Sequence, residues 1–306
     1  MKYLFIGAGA MGCVLAGHMT RSGKDVTMIG RGENLRAIQA DGLKMSTPSL
    51  GNIVVPIKIM TEEEYQDRPD VVIVCIKAYA FDTIKPLLNR ICDESTIVLP
   101  LLNAIRFGDK IAAGLTAKPI VLEGVAYVAC DRVAPGTVKQ KLDFFDIVFG
   151  MRQGHEQIPE LEQMQQDFVD SSASATISPN MLQSALRKFV RVSTISAVLV
   201  YYGGTCGDIA SSPERLDFLG DLSREVVAIA EASGCPFAAD DDLVGWARDS
   251  VLNVFPEYRT SLKTDYDAGR PIESQTQFMD VYELGRSLGL EMPAYGEVVR
   301  KCGYEV

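Results

Sequence analysis

Two patterns of hydrophobic and polar positions divide the chain. Up to about residue 178, short apolar runs alternate with segments of helical period. Residues 3–6, 26–29, 71–76 and 95–100 are apolar nearly throughout. A run with no polar face predicts a strand covered on both sides, as in a parallel sheet. Between these runs Met11, Val14, Leu15 and Met19 recur at helical spacing, as do Phe81, Ile84, Leu87, Leu88 and Ile91. Each set marks one buried helix face. Alternation of this kind predicts a doubly wound parallel sheet. Residues 42–46 and 53–59 read as short strands in a loop-rich stretch. Residues 120–129, 136–140 and 146–150 are short, β-rich and turn-punctuated, and predict antiparallel strands completing the sheet. A helix follows over roughly residues 158–171. Beyond Pro179 the strand signals vanish, and residues 181–200, 215–233, 239–254 and 275–289 read as helices. The change of pattern falls near 177–180, which divides the chain into residues 1–178 and an all-α domain of residues 179–306.

Composition narrows the class of function. The 306 residues are 47% hydrophobic and 23% charged, as expected of a globular chain long enough for two cores. The net charge of −10 speaks against nucleic acid or an anionic membrane as the main partner. The 7 cysteines are odd in number, form no C-x-x-C, and read as reduced small hydrophobes of a cytoplasmic protein. With only 2 histidines, no metal-ligand cluster is expected. The first strand begins by residue 3, which leaves no room for a signal peptide, and no apolar stretch is long enough for a membrane span.

The chemistry centres on the turn after the first strand. Gly7, Ala8, Gly9, Ala10, Met11 and Gly12 spell G-x-G-x-x-G, within a strand–turn–helix–strand unit of about 30 residues. Gly7 permits the tight turn, Gly9 lets a pyrophosphate approach the backbone, and Gly12 lets helix and sheet pack closely. Free N–H groups at the helix start complete an anion site. The N-terminal domain is therefore expected to be a Rossmann-type dinucleotide-binding fold; the plain alternative is a glycine turn that binds nothing. An NAD site usually carries Asp or Glu at the tip of the second strand. Here Arg31 stands there instead, and a guanidinium fork suits a 2′-phosphate. NADP(H) is the expected cofactor, although Glu33 could reach a ribose and Arg31 could be a solvated loop charge.

Lys77 and Asn103 fall, like Arg31, after the carboxyl ends of predicted strands, where doubly wound sheets bind ligands. In the C-terminal half, Ser184, Lys188, Val192 and Ser196 share one helical stripe. A lysine in so apolar a helix either snorkels or does chemistry. Ser261 is placed to cap or open a helix, and Glu273 to sit in the first turn of the next one, where an acid is commonplace.

Residues 5–12, Arg31, Lys77 of Cys-Ile-Lys-Ala-Tyr, Asn103 of Leu-Leu-Asn-Ala, residues 186–189 (Leu-Arg-Lys-Phe) and residues 260–273 together resemble the ketopantoate reductase (2-dehydropantoate 2-reductase) family over essentially the whole chain. The resemblance implies NADPH-dependent reduction of a small 2-keto acid, ketopantoate, to pantoate in pantothenate biosynthesis, in a cleft between the two domains. It makes Lys188 the general acid, Glu273 the residue that orients substrate or lysine, Ser261 a ligand of the substrate carboxylate, and Asn103 a hydrogen-bonding partner in the catalytic centre. Val192, Cys206 and Tyr258 depart from asparagines of the family pattern. A site short of those partners suits a more apolar 2-keto acid, as in a related D-2-hydroxyacid dehydrogenase. A nucleotide-binding sensor without turnover is the non-enzymatic alternative. The apolar faces of the helical half leave room for a homodimer.

Overall fold

The computed structural model describes all 306 residues. Chain contacts group residues 1–102 and 106–181 in one unit, and residues 103–105 and 182–306 in a second.

The first unit alternates as its pattern predicts. The strands and helices run β1 (Lys2–Ile6), α1 (Ala10–Arg21), β2 (Asp25–Ile29), α2 (Gly32–Asp41), β3 (Leu43–Thr47), β4 (Gly51–Val55), β5 (Lys58–Met60), β6 (Val71–Val74), α3 (Phe81–Ile91), β7 (Ile97–Pro100), α4 (Phe107–Gly114), β8 (Ile120–Ala134), β9 (Thr137–Met151), α5 (Glu160–Asp170) and β10 (Ser174–Ile177). All ten strands form one sheet in the order β4-β3-β9-β8-β7-β6-β1-β2-β5, with β10 added alongside β9. From β5 to β8 every pairing is parallel. Val71, Val72, Ile73 and Val74 are wholly buried, because a parallel strand has no face left for water.

Three departures from the pattern matter for the site. The stretch after Arg31 is the helix α2, not a loop. The strands expected at 136–140 and 146–150 are one strand, β9, and with β8 it forms a long antiparallel hairpin whose register slips twice. The helix α4 was not anticipated.

The second unit is helical: α6 (Met181–Tyr202), α7 (Cys206–Ala210), α8 (Pro213–Ala232), α9 (Leu243–Leu252), α10 (Ser261–Asp267), α11 (Asp280–Ser287) and α12 (Pro293–Lys301). A single π-helical turn, Gln275–Met279, leads into α11. α8 packs against α7, α9, α11 and α12 through Leu219, Leu222, Val226 and Ile229. Its Glu225 accepts the N–H groups of Ala294 (2.6 Å) and Tyr295 (2.9 Å) at the start of α12. Those donors have no partner within their own helix, so the carboxylate anchors one helix to the other. No helix is long and apolar enough to cross a membrane.

Candidate active site

At the glycine turn the backbone leaves no choice of residue at two positions. Gly7 has φ +113°, and a Cβ there would lie 2.6 Å from the Cys75 carbonyl oxygen. At Gly12 a Cβ would lie 2.3 Å from the Gly7 carbonyl oxygen, so any side chain would push α1 off β1 and β6. Gly9 differs: the nearest atom to a Cβ built there is 4.0 Å away. The space over Gly9 is open, and α1 begins there with no side chain capping it. Open space facing unpaired N–H groups, with no acid in the first turn, fits a dinucleotide pyrophosphate. Ala8, Ala10 and Met11 complete the turn and are partly exposed.

Arg31 is the residue just before α2 and has extended backbone, φ −149°. It is exposed and lines a cavity of about 530 Å³ together with Glu33, Asn34 and Arg132. The buried Asn34 gives its amide N–H to the Ala8 carbonyl at 2.6 Å and accepts the Gly136 N–H at 2.7 Å. It thereby links the glycine turn to the tip of the β8–β9 hairpin. Lys77 is half-buried at the end of the segment after β6, just before a short 3₁₀ turn at Ala78–Ala80.

The second unit gathers three of the expected residues. Lys188, on α6, is only 6% exposed. Its ammonium donates to Asn103 Oδ1 at 2.7 Å. Glu273, also 6% exposed, supplies the opposing charge. Burial lowers the Lys188 pKa from 10.5 to about 8, with the nearby Arg191 acting in the same sense and Glu273 resisting. This places the ammonium within reach of proton transfer near neutral pH.

The surrounding helices hold that geometry from behind. The Ser193 hydroxyl, on another face of α6, donates to the Gln277 carbonyl at 2.5 Å and meets the Tyr295 hydroxyl at 2.6 Å. The Gln277 N–H in turn bonds the Glu273 carbonyl at 3.0 Å. The backbone that carries Glu273 is thus tied to the helix that carries Lys188. One residue along the lysine stripe, Val192 is half-buried. Ser196, another turn on, is fully buried and donates to the Thr260 hydroxyl at 2.9 Å. Thr260 caps α10 by accepting the Lys263 N–H, so Ser261 opens that helix and does not cap it. Ser261 is exposed.

Of the departures from the family pattern, Cys206 is 1% exposed and its thiol is pushed up to about 11 by burial. It belongs to the core, and its N–H bonds the Tyr258 carbonyl at 3.0 Å. Four residues around these sites were not singled out from the sequence: Asn34, Arg132, Ser193 and Arg191. Asn34 and Ser193 had no distinguishing pattern. The Arg132 side chain lies outside both β-rich runs read on either side of it.

The sequence pattern described as ketopantoate reductase PanE/ApbA matches residues 3–154, and that of its C-terminal part matches residues 180–301. A 2-dehydropantoate 2-reductase of a Nostoc species is 24% identical over 297 residues, covering 95% of this chain and 91% of that protein. The crystal structure of 2-dehydropantoate 2-reductase from Methylococcus capsulatus superposes with a TM-score of 0.86 at 22% identity, covering 99% of this chain and 96% of that one. A ternary structure of D-mandelate dehydrogenase with NADH and anilino(oxo)acetate superposes with a TM-score of 0.87 at 19% identity, covering 99% and 97%.

Proposed function

The chain belongs to the ketopantoate reductase family of oxidoreductases, and from that membership we propose that it reduces a 2-keto acid to the 2-hydroxy acid with NADPH, ketopantoate being the leading substrate. We take residues 1–178 as the NADP(H)-binding domain and residues 179–306 as the catalytic one. The observation that carries this is the buried Lys188 ammonium, bonded to Asn103 and balanced by Glu273.

Reduction needs a hydride at the carbonyl carbon and a proton at its oxygen. A reduced nicotinamide, when bound, supplies the hydride. Lys188 supplies the proton: its Nζ–H points at an amide oxygen now and transfers to the developing alkoxide during turnover. Before transfer its positive charge stabilises that alkoxide, in a site dry enough for the charge to act strongly. Asn103 fixes the direction of the ammonium. Glu273 keeps it protonated at neutral pH and takes a hydroxyl of the substrate. Ser261 binds the substrate carboxylate. Gly7, Gly9 and Gly12 bring the backbone to the pyrophosphate, Arg31 takes the 2′-phosphate, and Lys77 contributes a further cation on the cofactor side.

A second reading has an observation of its own. Val192 stands half-buried on the lysine stripe, one turn beyond Lys188, where the family pattern has asparagine. An isopropyl group there makes no hydrogen bond to a hydroxylated substrate and packs well against an apolar one. The D-mandelate dehydrogenase that shares the fold has an aromatic substrate by name. A panel of 2-keto acids assayed with NADPH decides. A kcat/KM for ketopantoate well above that for phenylglyoxylate or branched apolar 2-keto acids supports the leading reading, and the reverse order replaces it with the second. Nucleotide binding without turnover on any of them would leave a sensor.

A further inference from the structure

The β8–β9 hairpin carries features that the reaction described so far does not use. It ends in Val133, Ala134, Pro135 and Gly136, and all but the last are exposed. Near the tip the strand register shifts between Arg132 and Ala134. A bulge at such a place re-aims a side chain out of the ladder. Arg132 here faces the same cavity of about 530 Å³ as Arg31.

The hairpin tip is fixed where it is. Gly136 accepts the Lys44 N–H at 2.9 Å and donates to Asn34 at 2.7 Å. Its Cα packs so closely on α2 that an added Cβ would lie 3.0 Å from the Ala37 methyl. Both polar ends of the Asn34 amide are occupied by backbone, Ala8 on one side and Gly136 on the other. Asn34 therefore serves as a brace between glycine turn and hairpin, and it leaves the polar side of the cavity to Arg31, Arg132 and Glu33. The guanidinium groups of Arg31 and Arg132 make no ion pair or hydrogen bond with the rest of the chain.

Two unpaired guanidinium groups in one cavity match a doubly charged ligand group. A phosphate monoester has that charge near neutral pH and offers three acceptor oxygens for two forks. A ribose hydroxyl offers neither. We propose that Arg132 is a second specificity-determining residue for the cofactor. The 2′-phosphate is gripped from both sides, by Arg31 at the end of β2 and by Arg132 at the hairpin tip. This rests on the assignment of NADP(H) above. Glu33 is the one acid in the cavity, and it faces the same group unfavourably.

The test is titration calorimetry of the full chain with NADP⁺ and with NAD⁺, for the wild type, Arg31→Gln, Arg132→Gln and Arg132→Lys. Loss of a charged hydrogen-bonding partner is expected to weaken NADP⁺ about tenfold or more in Arg132→Gln, with NAD⁺ changed less than about twofold, and Arg132→Lys should fall between it and the wild type. Because Arg132 is exposed and unpaired, its loss is expected to leave the melting temperature unchanged. If the wild type prefers NADP⁺, Arg31→Gln abolishes that preference and Arg132→Gln keeps it, Arg132 has no part in recognition and this inference alone fails. Equal weakening of both nucleotides in Arg132→Gln overturns it as well. A wild type with no preference between the nucleotides overturns the NADP(H) assignment itself.

Discussion

The titration of Lys188 offers the sharpest test of the catalytic proposal. Burial brings its pKa from 10.5 to about 8, a change equivalent to roughly 3 kcal/mol of lost preference for the charged form. Only the protonated lysine can act as acid. The kcat/KM for 2-keto acid reduction should therefore be flat below about pH 7 and fall about tenfold for each further pH step well above 8. Two substitutions should move that break in opposite directions. Glu273→Gln removes the charge that holds the pKa up. An opposite charge at close range is worth about one to three pH units, so the break should move to pH 7 or below. Arg191→Leu removes a charge that pushes the pKa down, so the break should move above 8. The assay is NADPH oxidation followed at 340 nm from pH 6 to pH 10 at limiting 2-keto acid. The opposed shifts matter because a general loss of structure would move both variants the same way. A wild-type profile level to pH 10, or an unshifted break in Glu273→Gln, would remove Lys188 from the proton-transfer step.

Four further outcomes follow from the same structure. Lys188→Met should lower kcat by about 10²–10⁴-fold, as for loss of a general acid, and should lower the melting temperature, because the buried Glu273 carboxylate and the Asn103 amide oxygen lose the cation that balances them; an unchanged kcat removes Lys188 from the proton transfer. Gly9→Ala should leave thermal stability near the wild-type value, since the added methyl meets no atom closer than 4.0 Å, but should weaken NADPH binding in a fluorescence titration. Gly12→Ala, whose methyl would lie 2.3 Å from the Gly7 carbonyl oxygen, should lower stability by roughly 1–3 kcal/mol, read as a drop in melting temperature. Glu123 accepts the Gly108 N–H at 2.8 Å at the start of α4, and burial raises its pKa from 4.5 to about 8. A raised carboxyl pKa means stability is full below pH 4.5 and declines as pH rises towards 8, so wild-type stability should fall relative to Glu123→Gln over that window. Parallel stability curves would show that Glu123 is ionised in the folded protein.

Most of the parallel sheet is legible in the sequence because β1, β2, β6 and β7 have no polar face. Legibility fails where burial is one-sided or absent. α2, Gly-Glu-Asn-Leu-Arg-Ala-Ile-Gln-Ala-Asp, buries only Asn34, Leu35 and Ile38. Two apolar side chains do not establish a helical period, and Gly32 at its start and Gly42 just past its end look like loop punctuation. The β8–β9 hairpin hides for a related reason. Residues 131–135 are all exposed, and so are residues 141–144. A ladder that runs on past the core keeps its backbone hydrogen bonds but loses the alternation of side chains by which a strand is recognised. The helix expected at 239–254 is shorter, because Asp242 accepts the Gly245 N–H and starts α9 at Leu243.

The two halves of the chemistry differ in the same way. Gly7, Gly9 and Gly12 sit in one local motif, and their tasks follow from backbone geometry that the spacing already encodes. Lys188 could be marked as unusual from its apolar helix, yet snorkelling and chemistry predict the same residue at the same place. What separates them is burial at 6% exposure and the bond to Asn103, and both depend on contacts between segments far apart in the chain. Arg132 is a stronger case. It comes from the outer end of β8, beyond the apolar run by which that strand is recognised, and it shares a cavity with Arg31 where Asn34 braces one turn against another. No periodicity or spacing encodes that brace. A charged residue at the tip of a two-sided polar hairpin can therefore be recognised as part of a ligand site only after the hairpin has been placed. Here the placement turns a lone arginine at a strand end into one of a pair, and a pair of unpaired guanidinium groups is a stronger reason to expect a phosphate than either group by itself.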